Sequence, residues 1–375
     1  MADGTCADDF APLRDLFEAN LADGTDAGAS LAVVHDGELV VDLWGGEARP
    51  GVAWTRDTLV QVWSVTKTMV GLAVLVLAER GEIDLDAPVA RYWPDFAAAG
   101  KGDVLVRQVL GHTSGVPGWT APLTVEELID LEHSEALLAA ETPWYEPGSA
   151  PAYQMIDHGH LLDAIVRGAT RRELADVLHE DVVGPLGGGF HLGVPEELLD
   201  DCADLIAPPP ADLDPDNPPT EFLLRTVLNP SLSTRTCNGA AWRRSAVGGA
   251  GGHGTARGIA RVQSVLSHGG EADGVRLLSD DLLDRVWEVQ STGTDLVLDV
   301  ALTFGLGYGL PTPSAPALPT GRMCWWTGYG GAIVVNDADS RTTIAYAPNR
   351  LVNHLVSSPR TDGYVRTAFD CLATS

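Results

Sequence analysis

The sequence VWSVTKTMVGLAVLVLAE, residues 62–79, places a serine and a lysine three positions apart at the start of a long apolar run. The apolar residues recur at helix-like spacing and predict a helix from Thr66 to Glu79. Ser64 then lies at the helix N-terminus, and Lys67 follows one turn later on the same face. The spacing therefore predicts that the Ser64 hydroxyl and the Lys67 amine touch.

Such a pair can act as a nucleophile and its base. Free N–H groups at a helix N-terminus favour developing negative charge, and apolar neighbours disfavour the charged form of a lysine. A neutral lysine can take the serine proton. Ser-x-x-Lys also occurs by chance in ordinary helices, with the serine as a mere N-cap. Against that reading, Lys67 and Lys101 are the only lysines of the chain, and Lys67 lies within this apolar helix.

Outward from this helix, both ends of the chain predict antiparallel β-structure. Asp36-Gly37 suits a tight hairpin turn between the first two β-rich runs. A helix predicted from Tyr364 to Leu372 follows the last β-rich run of the chain. The four predicted strands are Ala29 to Val34, Glu38 to Trp44, Ala332 to Asn336 and Thr342 to Ala347.

The middle of the chain is mostly helical in pattern. Besides Thr66 to Glu79, the predicted helices are Val125 to Ala139, His158 to Arg167, Arg172 to Leu178, Ala256 to Leu266 and Asp280 to Val289. We expect a single α/β (α+β) domain over residues 1–375, in which residues 1–63 and 290–375 form a sheet subdomain. Residues 64–289 then form an inserted, mainly helical subdomain, with the active site in the crevice between the two.

Composition excludes several classes of function. The formal net charge of −28 would repel nucleic acid and anionic lipid, so neither is an expected partner. The first residues lack the pattern of a secretory signal, and no stretch is long enough to span a bilayer, which predicts a cytoplasmic protein. The five cysteines are scattered and predict neither disulfides nor a zinc site. His158 and His160 diverge on a helix, so no metal is predicted.

Several motifs, in one order along the chain, resemble the serine β-lactamase and penicillin-binding-protein superfamily. Their spacing is similar to the class C-like branch, which includes the family VIII carboxylesterases, and the resemblance implies a β-lactamase-like fold. The motifs are Val62 to Lys67, Gly81 to Val89, Leu110 to Gly115, Pro147-Gly148 followed by Tyr153, Gly251 to Arg257, and Trp326-Thr327-Gly328.

The resemblance also implies a role for each matching residue. Ser64 would be the nucleophile, Lys67 its activating partner, and Tyr153 the general base that later helps to activate water. The backbone N–H groups of Ser64 and Tyr329 would form the oxyanion hole. A tyrosine has an ordinary pKa of about 10, and the neighbouring amine could lower the pKa of Tyr153.

Two positions depart from the family pattern. Met155 stands where asparagine usually helps to hold a substrate amide, and Trp326 replaces the lysine of a Lys-Thr-Gly motif that would meet a β-lactam carboxylate. Both departures favour a neutral or apolar acyl ester over a penicillin. The predicted substrate-binding residues are Trp119, Met155, Trp326, Thr327 and Gly328, and the Pro-rich loop Ala207 to Pro219 is a further candidate for the pocket wall.

The first prediction is a serine carboxylesterase for small neutral or apolar acyl esters, with no cofactor. An acyltransferase that passes the acyl group to a metabolite stays open, as do a β-lactamase or D-amino-acid peptidase and an inactive binding scaffold. The glycines of Gly249 to Gly254 match a dinucleotide fingerprint, but no β-rich run leads into them, so they are expected to pack near the site instead. The sequence indicates no particular oligomeric state.

Overall fold

The central sheet contains seven strands in the computed structural model, which describes residues 1–210 and 218–374. The strands of the described chain are β1 Asp3–Cys6, β2 Gly28–His35, β3 Glu38–Arg49, β4 Val52–Ala53, β5 Val60–Gln61, β6 Phe190–His191, β7 His253–Gly254, β8 Glu271–Ala272, β9 Val275–Arg276, β10 Ser291–Thr294, β11 Ala301–Phe304, β12 Met323–Thr327, β13 Ile333–Asp337 and β14 Thr342–Pro348. The sheet has the order β1-β3-β2-β14-β13-β12, with β4 paired to β3, and every pairing is antiparallel.

Helices account for most of the remaining regular structure. They are α1 Ala11–Ala22, α2 Thr66–Glu79, α3 Val106–Leu110, α4 Val125–Ile129, α5 Leu131–Ala140, α6 Asp157–Thr170, α7 Leu174–Val177, α8 Glu221–Val227, α9 Thr234–Cys237, α10 Ala240–Arg243, α11 Ala256–Ser267, α12 Asp280–Val286 and α13 Pro359–Thr374. Short 3-10 segments span Asp8–Phe10, Trp63–Val65, Val89–Arg91, Pro94–Gly100 and Glu196–Asp201, and a π-helical turn spans Leu178–Val183.

The predicted hairpin between β2 and β3 is confirmed. Asp36 and Gly37 adopt φ angles of 47° and 83°, and His35 pairs with Glu38 across the turn. Aspartate and glycine tolerate this left-handed backbone, which matches the twist of the two strands. The turn fixes the register of the strand pair to which β14, from the other end of the chain, adds.

Alternate residues of β2 lie in two separate cores. Ala32 and Val34 belong to the larger core, which includes α2 and α11, whereas Leu31 and Val33 pack with residues of α1 and α13. The sheet therefore has α11 on one face and the two terminal helices on the other. Although α11 falls within the middle segment 64–289, it packs on the sheet.

The helix predicted over Val125 to Ala139 is two helices. Asp130 adopts an extended backbone with ψ of 91°, and its side chain accepts the His133 backbone N–H at 3.2 Å. A carboxylate at this position caps a new helix start, so α4 ends and α5 begins there. The helical pattern continued across the break because residues on both sides face the same core.

Lys101 is buried although it lies far from the apolar helix α2. Its side chain is fully shielded from solvent, and its ammonium donates to the backbone carbonyls of Ala98 at 2.9 Å and Ala139 at 3.0 Å, and also to that of Glu141. Three carbonyl acceptors replace the water that the ammonium loses. Lys101 thus ties the Pro94–Gly100 segment to the end of α5.

A buried acid pair joins α5 to α6 and predicts an unusual pH dependence of stability. Glu135 and Asp163 both contact Arg167, and burial with the charge of Asp163 raises the pKa of Glu135 to about 9. Between about pH 4.5 and pH 9 the folded protein therefore holds a proton that the unfolded chain releases, so this contribution to stability falls as pH rises. Glu135→Gln should remove this fall in the free energy of unfolding. Relative to wild type, the free energy of unfolding of the variant should therefore rise by up to about 1.4 kcal/mol per pH unit in this window.

Urea unfolding at several pH values between 5 and 9 measures this effect. Glu132→Gln, at an exposed position of the same helix, is the matched control and should follow wild type throughout. A constant difference between Glu135→Gln and wild type across the range would show that Glu135 does not titrate there.

Candidate active site

Ser64 lies in a tight turn between β5 and α2. The residue before it, Trp63, has a φ of 49°, a left-handed backbone that non-glycine residues rarely adopt. Gly252 holds the turn on both sides, because its carbonyl accepts the Val62 N–H and its N–H donates to the Thr66 hydroxyl, each at 3.0 Å. A non-glycine residue in this conformation is often found at functional sites, where the surrounding structure maintains it.

Lys67 contacts Ser64, as the spacing predicts. Its ammonium nitrogen lies 3.0 Å from Ser64 Oγ and 2.7 Å from the carbonyl oxygens of Met155 and Gly249. Burial lowers the pKa of Lys67 from 10.5 to about 7, and the charge of Asp157 opposes this shift. A substantial fraction of Lys67 is therefore neutral near pH 7 and able to accept a proton from Ser64.

Gly249, within the glycine-rich stretch, is required by close packing. A Cβ at this position would lie 2.1 Å from the Ile156 carbonyl oxygen. Only glycine lets the two backbone segments approach closely enough for both to offer carbonyls to Lys67. The expectation that these glycines pack against the site is confirmed.

Tyr153 lies beside the same two residues. Its ring centre is 4.8 Å from the Lys67 ammonium, and its hydroxyl forms a hydrogen bond with Ser64 and accepts the Trp326 indole N–H at 2.9 Å. The expected fall in its pKa is wrong: burial raises the pKa of Tyr153 above its usual value, although the hydrogen bonds with Ser64 and Trp326 act to lower it. Tyr153 is thus a neutral phenol near pH 7, suited to relaying a proton.

The end of β12 approaches the Ser64 turn closely. A Cβ on Gly328 would lie 2.1 Å from the Val62 carbonyl oxygen, so the motif requires glycine there. The next residue, Tyr329, packs edge-on against the Trp63 ring with centres 5.4 Å apart. The two residues predicted to form the oxyanion hole, Ser64 and Tyr329, therefore line one cavity.

This cavity has a volume of about 460 Å³ and a mostly apolar wall. Ser64, Tyr153, Thr327 and Tyr329 form its reactive end. Among the residues that the structure describes, no Lys, Arg, His, Asp or Glu side chain lines it. The aliphatic part of the wall consists of Met155, Ile156, Pro219, Leu223, Leu224, Val227, Pro230, Leu232, Ala250 and Leu355. The space accommodates an uncharged, largely apolar substrate.

Some of the predicted pocket residues line the cavity and others do not. Met155 and Thr327 line the cavity, and so does Pro219 from the predicted loop Ala207 to Pro219, whose residues 211–217 lie outside the described residues. Trp326 and Gly328 lie behind the cavity wall, where Trp326 contacts Tyr153 rather than the open space.

The prediction that Trp119 contacts substrate is corrected. Its indole N–H donates to the Ser134 carbonyl at 2.8 Å, and its ring packs against His160 with centres 5.1 Å apart. The side chain is 3% exposed and lies in the core of the helical region. Although Trp119 is close in sequence to the Leu110 to Gly115 motif, its side chain does not line the cavity.

Sequence reasoning missed the wall formed by α8 and by residues 353–355. Leu223, Leu224 and Val227 face the cavity from one turn and a half of α8, and Leu224 is 42% exposed at its mouth. On another side, the Tyr329 hydroxyl donates to Asn353 Oδ1 at 3.2 Å. A short apolar helix just after the Pro-rich loop was the available signal for this wall.

The described residues contain neither a metal-binding cluster nor a membrane-spanning helix. In residues 1–210 and 218–374, no three His, Cys, Asp or Glu side chains are grouped so as to hold a metal ion. No helix in the same residues combines the length and the apolar character needed to cross a bilayer.

Sequence comparisons find relatives over nearly the whole chain. The β-lactamase family profile matches residues 13–363. The esterase/β-lactamase LipL of Mycobacterium tuberculosis is 33% identical over 347 residues, which cover 88% of this chain and 78% of LipL. The esterase EstB of Burkholderia gladioli is 33% identical over 211 residues, about half of each protein.

Solved structures also resemble this one over nearly the whole chain. A family VIII carboxylesterase superposes with a TM-score of 0.92 at 33% identity, over 99% of this chain and all of that one. A penicillin-binding-protein homologue from Caulobacter crescentus gives a TM-score of 0.90 at 32% identity, with the same coverage. The likeness covers both the sheet and the helical region.

Proposed function

Because this chain belongs to the β-lactamase family and is a serine hydrolase, we propose that it is a carboxylesterase acting on small neutral or apolar acyl esters through a Ser64 acyl-enzyme. One observation carries the proposal. The Ser64 hydroxyl contacts both Lys67 and Tyr153 and lines an apolar cavity. Its substrate is a small-molecule ester.

Each residue of the site has a step in this mechanism. Lys67 takes the Ser64 proton as Ser64 Oγ attacks the ester carbonyl. The backbone N–H groups of Ser64 and Tyr329 stabilise the oxyanion of the tetrahedral intermediate. Tyr153, hydrogen-bonded to Ser64, passes the proton to the leaving alcohol and then helps water to attack the acyl-enzyme.

The apolar wall supports an ester over a β-lactam. Met155 offers the cavity a thioether where an amide side chain would hold a substrate amide, and Trp326 is turned to Tyr153. The lining residues in the described chain include no cation to pair with a carboxylate. A charged β-lactam would thus be desolvated without compensation.

The test is hydrolysis of p-nitrophenyl acetate, butyrate and longer esters. Sustained release of p-nitrophenol supports an esterase, and the chain length at which kcat/KM falls measures the usable depth of the cavity. A burst that stalls until an alcohol or amine is added would favour an acyltransferase. Turnover of nitrocefin at a comparable kcat/KM would favour a β-lactamase, and failure to react with a fluorophosphonate would favour an inactive scaffold.

Trp326→Phe should lower kcat by about threefold to tenfold with little change in KM. The variant keeps an aromatic ring but loses the N–H that donates to the Tyr153 hydroxyl, and one such hydrogen bond contributes about 0.5–1.5 kcal/mol. Trp325→Phe is the matched control, because the Trp325 indole donates to the Leu310 carbonyl instead. An unchanged kcat in Trp326→Phe would show that this hydrogen bond does not assist Tyr153.

A further inference from the structure

A buried carboxylate lies behind the Ser64–Lys67 pair. Asp157 is the first residue of α6 and is 1% exposed. It follows Met155 by two positions, and the Met155 carbonyl is one of the three acceptors of the Lys67 ammonium. Because α6 packs against α2, which carries Lys67, the carboxylate and the amine share one buried region.

Polar atoms around Asp157 are only partly paired. Gln154 donates its side-chain N–H to Asp157 Oδ2 at 2.9 Å. Within the described residues, Asp157 Oδ1, Gln154 Oε1 and both ring nitrogens of His158 have no hydrogen-bond partner. These three side chains are at most 1% exposed. Buried polar atoms are normally paired, so this cluster retains capacity to stabilise a charge that arises nearby during reaction.

The neighbouring histidines, His112 and His158, carry no charge that could offset one arising in this cluster during reaction. His112 stacks against His158 with ring centres 4.7 Å apart, and its Nδ1 accepts the Gln154 backbone N–H at 3.2 Å. Burial lowers the pKa of His112 and His158 well below the usual value, and the charge of Lys67 lowers both further. Both rings are therefore neutral at pH 7.

Three other titratable groups lie in this region. They are Tyr145 and Tyr153, whose pKa values burial raises, and Asp295, whose pKa burial raises to about 6. The charges of Asp295 and Asp157 both act on the two tyrosines, and Asp157 is the carboxylate whose charge acts on Lys67. Burial raises the pKa of Asp157 itself to about 7, and the Gln154 hydrogen bond and the charge of Lys67 oppose that shift.

We propose that Asp157 is a positioning residue for acyl transfer, whose buried carboxylate stabilises the Lys67 ammonium formed when Ser64 gives up its proton. The proposal rests on the proposed function of Ser64 and Lys67. The Ser64 O–H bond breaks as the bond from Ser64 Oγ to the acyl carbon forms, and the proton moves to Lys67. From there it passes through Tyr153 to the alcohol oxygen as the bond from the acyl carbon to that oxygen breaks, so Asp157 neither gains nor loses a proton in the cycle.

The scarcity of lysine allows a direct test. Protein labelled with ¹³C at lysine Cε has only two labelled side chains, and Lys101→Arg assigns the pair. In wild type the Lys67 signal should titrate near pH 7. In Asp157→Asn, which keeps an oxygen for Gln154, the apparent pKa of Lys67 should fall by about one to three units. The acidic limb of kcat/KM should move to lower pH by the same amount, and its plateau should fall roughly tenfold.

Asp163→Asn is the matched control. Asp163 is a second buried carboxylate of α6, but its partners are Arg167 and the Leu174 backbone N–H. Its replacement should leave the Lys67 titration unchanged. Gln154→Met is a second variant for the case in which Asp157→Asn does not fold. It removes the bond that keeps Asp157 charged, and should lower the apparent pKa of Lys67 in the same direction by less.

An apparent pKa of Lys67 that is equal in wild type and in the folded Asp157 or Gln154 variant would overturn the proposal. The titration needs no substrate, so it separates this inference from the proposed function. If the Lys67 signal shifts but the protein shows no esterase turnover, the electrostatic coupling between Asp157 and Lys67 is supported and the proposed esterase function is rejected. Normal turnover with an unshifted signal would leave the esterase and reject the role of Asp157.

Discussion

Ser64→Ala should reduce p-nitrophenyl butyrate turnover by on the order of 10⁴-fold or more, because no acyl-enzyme can form without the hydroxyl. The substitution removes a single oxygen from the cavity wall, and the turn that carries it is held by hydrogen bonds of Gly252 with the Val62 N–H and the Thr66 hydroxyl. We therefore expect the variant to unfold at the same temperature as wild type. Steady-state kinetics and a thermal melt on the same preparation measure both quantities.

Labelling with a fluorophosphonate provides the control for Ser64. Wild type should become labelled in proportion to its loss of activity, and Ser64→Ala should remain unlabelled. Equal esterase activity in wild type and in the folded variant would mean that another group performs the hydrolysis. In that case the mechanism built on Ser64 is wrong, whatever the fold.

Lys67→Met should lower kcat/KM by on the order of 10³-fold, since the proton of Ser64 then has no base in contact with it. The thioether side chain fills a similar space but cannot donate to the carbonyls of Met155 and Gly249. Each acceptor left unpaired in a buried site costs about 1–3 kcal/mol. The variant should thus be less stable as well as inactive. A control must therefore distinguish activity lost through lower stability from activity lost because the base is missing.

Lys101→Met makes that separation. Lys101 is the other buried lysine, and it too donates to three backbone carbonyls, but it lies outside the cavity. The two variants should lose similar stability in urea unfolding, while Lys101→Met keeps esterase activity close to wild type. A similar loss of activity in both variants would assign the effect of Lys67 to folding rather than to proton transfer.

The contact between Ser64 and Lys67 could be predicted because it is local. A spacing of three positions settles it, and the apolar pattern of α2 locates that helix correctly. The β2–β3 hairpin was predictable for the same reason, from Asp36-Gly37 alone. Tyr153, far along the chain, entered only through the resemblance to a family, because no local pattern brings it to Ser64.

The cavity wall could not be predicted in this way. Leu223 and Val227 belong to a short helix whose place beside Ser64 depends on contacts distant in sequence. Proximity to a motif suggested Trp119, which instead hydrogen-bonds within the helical core. The sequence did not single out Asp157, because its burial in the same region as Lys67 follows from the packing of α6 on α2.

The burial of both lysines also determines how the folded protein meets amine-directed reagents. Lys67 and Lys101 are each at most 1% exposed, and no other lysine exists in the chain. Activated esters in the surrounding solution therefore find no lysine side chain to acylate on the native surface. A succinimidyl dye should modify these two positions only when the molecule opens, so its rate of incorporation at lysine would report unfolding under native conditions.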